Sequence, residues 1–136
     1  MMLRILVVED SPSMRAFVRG ALETRSEFSE ELSVVEAASG FDALRLLPRG
    51  PYALVITDIN MPDINGLELV RFIRSSELHK GTPIILISTQ SSERDQQRGL
   101  SLGADAYLTK PFTEEALCKL AGAQLERARS GSGAHG

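Results

Sequence analysis

Apolar residues along the chain fall into two alternating patterns. Short continuous runs rich in β-branched residues stand at LRILVV (3–8), SVVEA (33–37), YALVIT (52–57), PIILIS (83–88) and AYLT (106–109). Between and after them, apolar positions recur at the three-to-four-residue spacing of a helix. Met14, Phe17, Val18, Ala21 and Leu22 form one such stripe in PSMRAFVRGALE, which puts Met14 and Phe17 in the core. FDALRLL, GLELVRFIRSS, RDQQRGLSLG and TEEALCKLAGAQLERA carry the others. Ser11 is an expected N-cap with Pro12 at the first helical position, and Pro48 and Gly50 close the second helix.

The order is therefore (βα)5. Strands that are apolar without alternation are buried on both faces, which predicts an α/β fold, a doubly wound five-stranded parallel sheet with helices on each side. The sheet is taken to have the flavodoxin-like strand order 2-1-3-4-5. The last residues, SGSGAHG, are small and polar. They predict one domain over 1–127 and a flexible polar tail over 128–136.

At 136 residues the chain supports one core without staples. Cys118 is the single cysteine, so an intramolecular disulfide and a cysteine metal cluster are excluded; it is expected to pack within its helix. A net charge of −3 with no basic stripe speaks against a nucleic-acid surface. The start, MMLRILVVEDSP, lacks the length and cleavage pattern of a signal peptide, and no span reaches membrane length. A cytoplasmic location is expected.

Candidate chemistry collects at the carboxyl ends of the strands, where open α/β sheets bind ligands. Strand 1 ends in Glu9-Asp10, strand 3 in Asp58, strand 4 in Ser88-Thr89 and strand 5 in Lys110-Pro111; strand 2 ends in Ala37-Ala38-Ser39 and adds nothing comparable. With strands 1 and 3 side by side, Glu9, Asp10 and Asp58 share one pocket. Like charges ~4 Å apart repel by about 1 kcal/mol in water and about 4 kcal/mol at an effective dielectric of 20, so three call for a cation. Hard oxygen donors without His or Cys favour Mg2+. Beside it, Lys110 and the Ser88 hydroxyl suit phosphoryl oxygens. A carboxylate in such a site can itself be the nucleophile, and Asp58, central in the sheet, is the best placed.

VVEDSPSMR, ITDINMPDINGLEL, ILIST and GADAYLTKPF resemble, in order and spacing, the four blocks of the receiver domain of two-component response regulators, over about residues 3 to 125. The resemblance implies Asp58 as phosphoacceptor, with Glu9, Asp10 and the backbone carbonyl of Asn60 as further Mg2+ ligands. It implies Ser88 as the switch hydroxyl, Tyr107 as the switch aromatic and Lys110 as the lysine that pairs with the phosphoryl group. Lys110-Pro111 resembles the family's cis-prolyl step, and Gly66 the loop glycine where a close backbone turn is needed. Asn60 and Gln90 flank the site in the family pattern. Among receivers the chain is most similar to the single-domain chemotaxis, CheY-like type. That implies a histidine kinase as phosphodonor, a downstream protein target such as a flagellar motor component, and a monomer.

Arg15 and Arg19 are expected on the solvated side of helix 1, and His79 in SSELHKGTP is expected to be a loop histidine with no chemical role. An aspartate-nucleophile phosphohydrolase would need a second acid two residues after the first, but Ile59-Asn60 follow Asp58. A flavin or nucleotide carrier would need a Gly/Ser-rich phosphate loop where strand 1 instead ends in acid. Two further readings stay open: a receiver-like scaffold that works without phosphorylation, and a receiver cut from a larger transcriptional regulator.

Overall fold

In the computed structural model, described over residues 2–24, 31–89 and 93–135, five strands alternate with five helices. The strands are β1 (Met2–Val8), β2 (Glu31–Ala37), β3 (Leu54–Asp58), β4 (Ile84–Thr89) and β5 (Ala106–Lys110). The helices are α1 (Pro12–Thr24), α2 (Gly40–Leu46), α3 (Gly66–Ser75), α4 (Glu93–Leu102) and α5 (Glu114–His135). All strand pairs are parallel and their order is β2-β1-β3-β4-β5, the expected topology.

Alternate residues of each strand enter two separate cores. Leu6, Val8, Val55 and Leu86 pack with Ala43 and Leu46 of α2 and Leu69, Val70 and Ile73 of α3. Ile5, Val7, Leu54, Ile56, Ile85 and Ile87 pack with Val18, Ala21 and Leu22 of α1 and Leu117, Cys118 and Ala121 of α5. Most of these side chains are fully buried, each stabilising the fold by roughly 1.5–3 kcal/mol relative to exposure. β3 is buried at every position, so Asp58 is carried on the most enclosed strand.

Local signals set the helix starts. Ser11 Oγ accepts the Met14 amide, with Pro12 opening α1. Asn65 and Glu68 close a capping box at α3, where the side chain of each accepts a backbone amide of the other. Ser39 caps α2 by accepting the Asp42 amide. Pro48 does not end that segment outright, because Leu47–Arg49 continue it as a 3-10 turn.

The structure departs from the sequence reading at several places. Phe17 is 39% exposed, lying at the rim of α1 against the Phe112 ring with centroids 5.9 Å apart, while Met14 is partly buried against the core. Tyr52 precedes β3 rather than opening it; its hydroxyl donates to the Leu46 carbonyl. His79 is only 2% exposed, packed beside the Tyr52 ring, and its Nδ1 has no hydrogen-bond partner among the described residues. The last helix, α5, continues to His135.

Candidate phosphoacceptor site

Three strand ends converge at the carboxyl edge of the sheet. β1 and β3 are direct neighbours, which brings Glu9, Asp10 and Asp58 together, and β4 lies on the other side of β3. Each offers a carboxylate oxygen within 4.8 Å of the others. Glu9 is 1% exposed and Asp58 4%, while Asp10 is open to solvent. Buried acids beside an exposed one, all hard oxygen donors, fit Mg2+, which takes one or two carboxylates and keeps waters on its open side.

Lys110 reaches this cluster from β5. Its Nζ donates to Glu9 Oε1 and to Asp58 Oδ2, each at 3.3 Å. The peptide bond that follows, Lys110-Pro111, is cis as expected. Burial alone would lower the Lys110 pKa, but the charges of Asp58 and Glu9 outweigh it and hold the ammonium above its ordinary value. Glu9 is raised too, which for a carboxyl favours the neutral form. Burial pushes it up to about 7, the Ser11 amide pulls back, and the Asp58 charge adds to the rise.

The loop after β3 is shaped by backbone contacts. Ile59 N–H donates to Ile87 O and Gly66 N–H to Ile59 O, folding the loop back on the strand end. A Cβ on Gly66 would stand 2.4 Å from the Asp58 carbonyl oxygen and 2.8 Å from Ile59 Cα, so the position needs glycine for close approach. Asn60 is exposed, and its amide lies 3.4 Å from Asp58 Oδ1.

Ser88 sits one residue beyond Ile87, the register partner of Asp58, and is fully buried. Tyr107 stands outward on edge strand β5, 37% exposed. Gln90 lies outside the described residues.

Four contributors to this region escaped the sequence reading. Arg15 is not merely solvated: its Nη1 donates to the Glu9 carbonyl at 2.8 Å while its Nε pairs with Glu36 of β2, pinning the end of β1. Arg19 likewise pairs with Glu23 and Glu36. Asp63 accepts the Gly40 and Phe41 amides, so the loop after Asp58 is docked on the start of α2, and the Phe41 amide above all holds its carboxyl below the usual range. Gln96 of α4 donates to Ser88 Oγ and to Thr109 Oγ1. Only Asp63, in a loop dense with turn residues, carried a local signal as a capping acid.

The family model for the response regulator receiver domain matches residues 5–121. The chain belongs to that family. Receiver domains bind Mg2+ in an acidic pocket, and Glu9, Asp10 and Asp58 form an acidic cluster here. The chain is 36% identical over 116 residues to a chemotaxis protein CheY homolog of Campylobacter jejuni, covering 85% of this chain and 86% of that one. It is 40% identical over 108 residues to a gliding motility regulatory protein of Myxococcus xanthus, covering 79% of this chain but 13% of the relative. Among solved structures, the chemotaxis response regulator CheY4 of Vibrio cholerae superposes with a TM-score of 0.78 at 33% identity, over 91% of this chain and 99% of that one.

Proposed function

We propose that this receiver is a phosphoacceptor in which Asp58 takes a phosphoryl group from a partner histidine kinase. The observation that carries this reading is the Lys110 ammonium shared between Asp58 and Glu9 inside a three-carboxylate cluster. An Asp58 oxygen attacks the phosphorus of a phosphohistidine; the new O–P bond forms as the N–P bond breaks, and the imidazole leaves with the electron pair. Glu9, Asp10, Asp58 and the Asn60 carbonyl would hold Mg2+, which would supply charge stabilisation to the phosphoryl oxygens. Lys110 neutralises phosphoryl oxygens as well, and Ser88 donates to one of them. Release by water returns the resting state slowly, so the chain acts as a switched acceptor rather than a turnover enzyme.

The output is a shift in the surface of α4, β5 and α5, with Ser88 and Tyr107 as the switch pair. The likeness to CheY homologues and to a gliding motility regulator supports a role in chemotaxis or motility, with a protein target such as a motor component. The same likeness supports a monomeric, cytoplasmic protein; among the described residues no helix is long and apolar enough to cross a membrane.

Intact mass after incubation with acetyl phosphate tests the chemistry. One phosphoryl adduct that requires Mg2+ and is lost in Asp58→Ala is the expected result. An adduct that survives Asp58→Ala or a chelator overturns the assignment and favours a scaffold that works without phosphorylation.

A further inference from the structure

We infer that Gln96 is a positioning residue that latches the switch hydroxyl in the resting state, a reading that rests on the phosphoacceptor role proposed above. α4 is a polar helix whose buried positions are Gln96 and Gly99, and Gln96 is its one long buried side chain. At 5% exposure its amide is enclosed, and an enclosed amide is held where its hydrogen bonds are met. Nε2 meets them on the sheet, donating to Ser88 Oγ at 2.5 Å and to Thr109 Oγ1 at 3.1 Å. Those two hydroxyls are register partners on β4 and β5, so one amide clamps both strands at the row next to the phosphorylation site. Gly99, one turn along, lets the helix approach: a Cβ there would overlap the Leu86 side chain.

The clamp opposes the proposed switch in two ways. Ser88 must turn toward a phosphoryl group on Asp58, whose strand lies on the other side of β4 from β5, and that movement draws its oxygen away from the Gln96 amide. Tyr107 is two residues before Thr109 and so on the same face of β5. An inward swing of its ring along that face meets the space the amide fills. The Gln96 bonds therefore exist in the resting state and not in the activated one. By that difference they set how much of the phosphoryl interaction is used up in switching. Release of the amide also frees the first turns of α4, which couples the site to the output surface through a side chain rather than through strand movement alone.

Beryllofluoride with Mg2+, a non-covalent stand-in for the phosphoryl group, tests this in the full chain. Isotope-labelled protein is titrated by NMR, reading the backbone amides of β4 and β5 and the Tyr107 ring. Gln96→Met keeps length and packing but removes the amide. Its half-saturating beryllofluoride concentration falls about fivefold, the equivalent of one net hydrogen bond of roughly 1 kcal/mol, and the Tyr107 ring signals move toward the activated position before any ligand is added. Gln96→Asn, one methylene too short to reach Ser88, behaves as Gln96→Met does. In a Ser88→Ala background the Gln96→Met effect falls below twofold, since the partner is gone.

Wild-type half-saturation in Gln96→Met, with only the urea midpoint lowered, reduces Gln96 to a packing residue and overturns the latch. A wild-type protein that shows no Mg2+-dependent beryllofluoride response overturns the phosphoacceptor reading itself, and the latch falls with it.

Discussion

Lys110 Nζ lies 3.3 Å from Asp58 Oδ2, and the same ammonium is 3.3 Å from Glu9 Oε1. A single cation thus stands where three carboxylates would otherwise face one another. It makes the metal-free pocket tolerable, and it also competes with a divalent ion for the same oxygens.

Replacing that cation separates the two effects. In Lys110→Met, Mg2+ affinity rises about tenfold because a positive charge near the ion is gone. Phosphorylation by acetyl phosphate nevertheless slows by roughly 10²-fold, since a donor aimed at the phosphoryl oxygens is lost. Calorimetric Mg2+ titration and the rate of adduct formation check the two halves independently.

Gly66 is required for contact rather than for an unusual backbone angle, because the glycine with a left-handed φ among the described residues is Gly103. Gly66→Ala therefore drives a methyl into the Asp58 carbonyl, and backbone on both sides has to move. We expect a loss of about 1–3 kcal/mol in urea unfolding, together with slower adduct formation because Asp58 is displaced.

At the opposite edge of the sheet, Arg74 of α3 ties together the segments that lead into β4 and β5. Its guanidinium donates to the carbonyls of Lys80, Thr82 and Gly103 and pairs with Asp105, whose carboxylate also accepts the Ile84 amide. Arg74→Met leaves Asp105 partly enclosed without its counter-charge and costs about 2–3 kcal/mol, with Mg2+ affinity unchanged. Equilibrium unfolding alongside Mg2+ titration distinguishes this from an effect on the site.

Arg74 also marks where sequence reading stops. The strands were legible because an apolar run of five or six residues buried on both faces admits few other structures, and the convergence of Glu9, Asp10, Asp58 and Lys110 followed once the strand order was assumed. Contacts made by long polar side chains across the fold carry no periodicity. Arg74, Gln96 and Arg15 each look like an ordinary polar residue on a helix surface, and only the packing of α3 and α4 on the sheet and of α1 beside β2 turns them inward. The burial of His79 within its loop was hidden for the same reason: it depends on Gly50, whose missing Cβ leaves room for the imidazole, 29 residues earlier in the chain.

Glu9 makes the pocket sensitive to pH. Its carboxyl is raised from 4.5 to about 7, mainly by burial, so the metal-free fold holds this proton more tightly than the unfolded chain does. The contribution is fully present below the unfolded value and is lost as pH rises through the folded one. Metal-free stability attributable to Glu9 therefore falls between about pH 4.5 and 7. Mg2+ needs the ionised form, so its affinity rises over the same window and its binding expels close to one proton on the acidic side. Calorimetry at pH 6 in buffers of different ionisation enthalpy measures that proton directly. Glu9→Gln, which cannot ionise, should bind Mg2+ more weakly with no proton release from this site; release that persists unchanged in Glu9→Gln would assign the titrating group elsewhere.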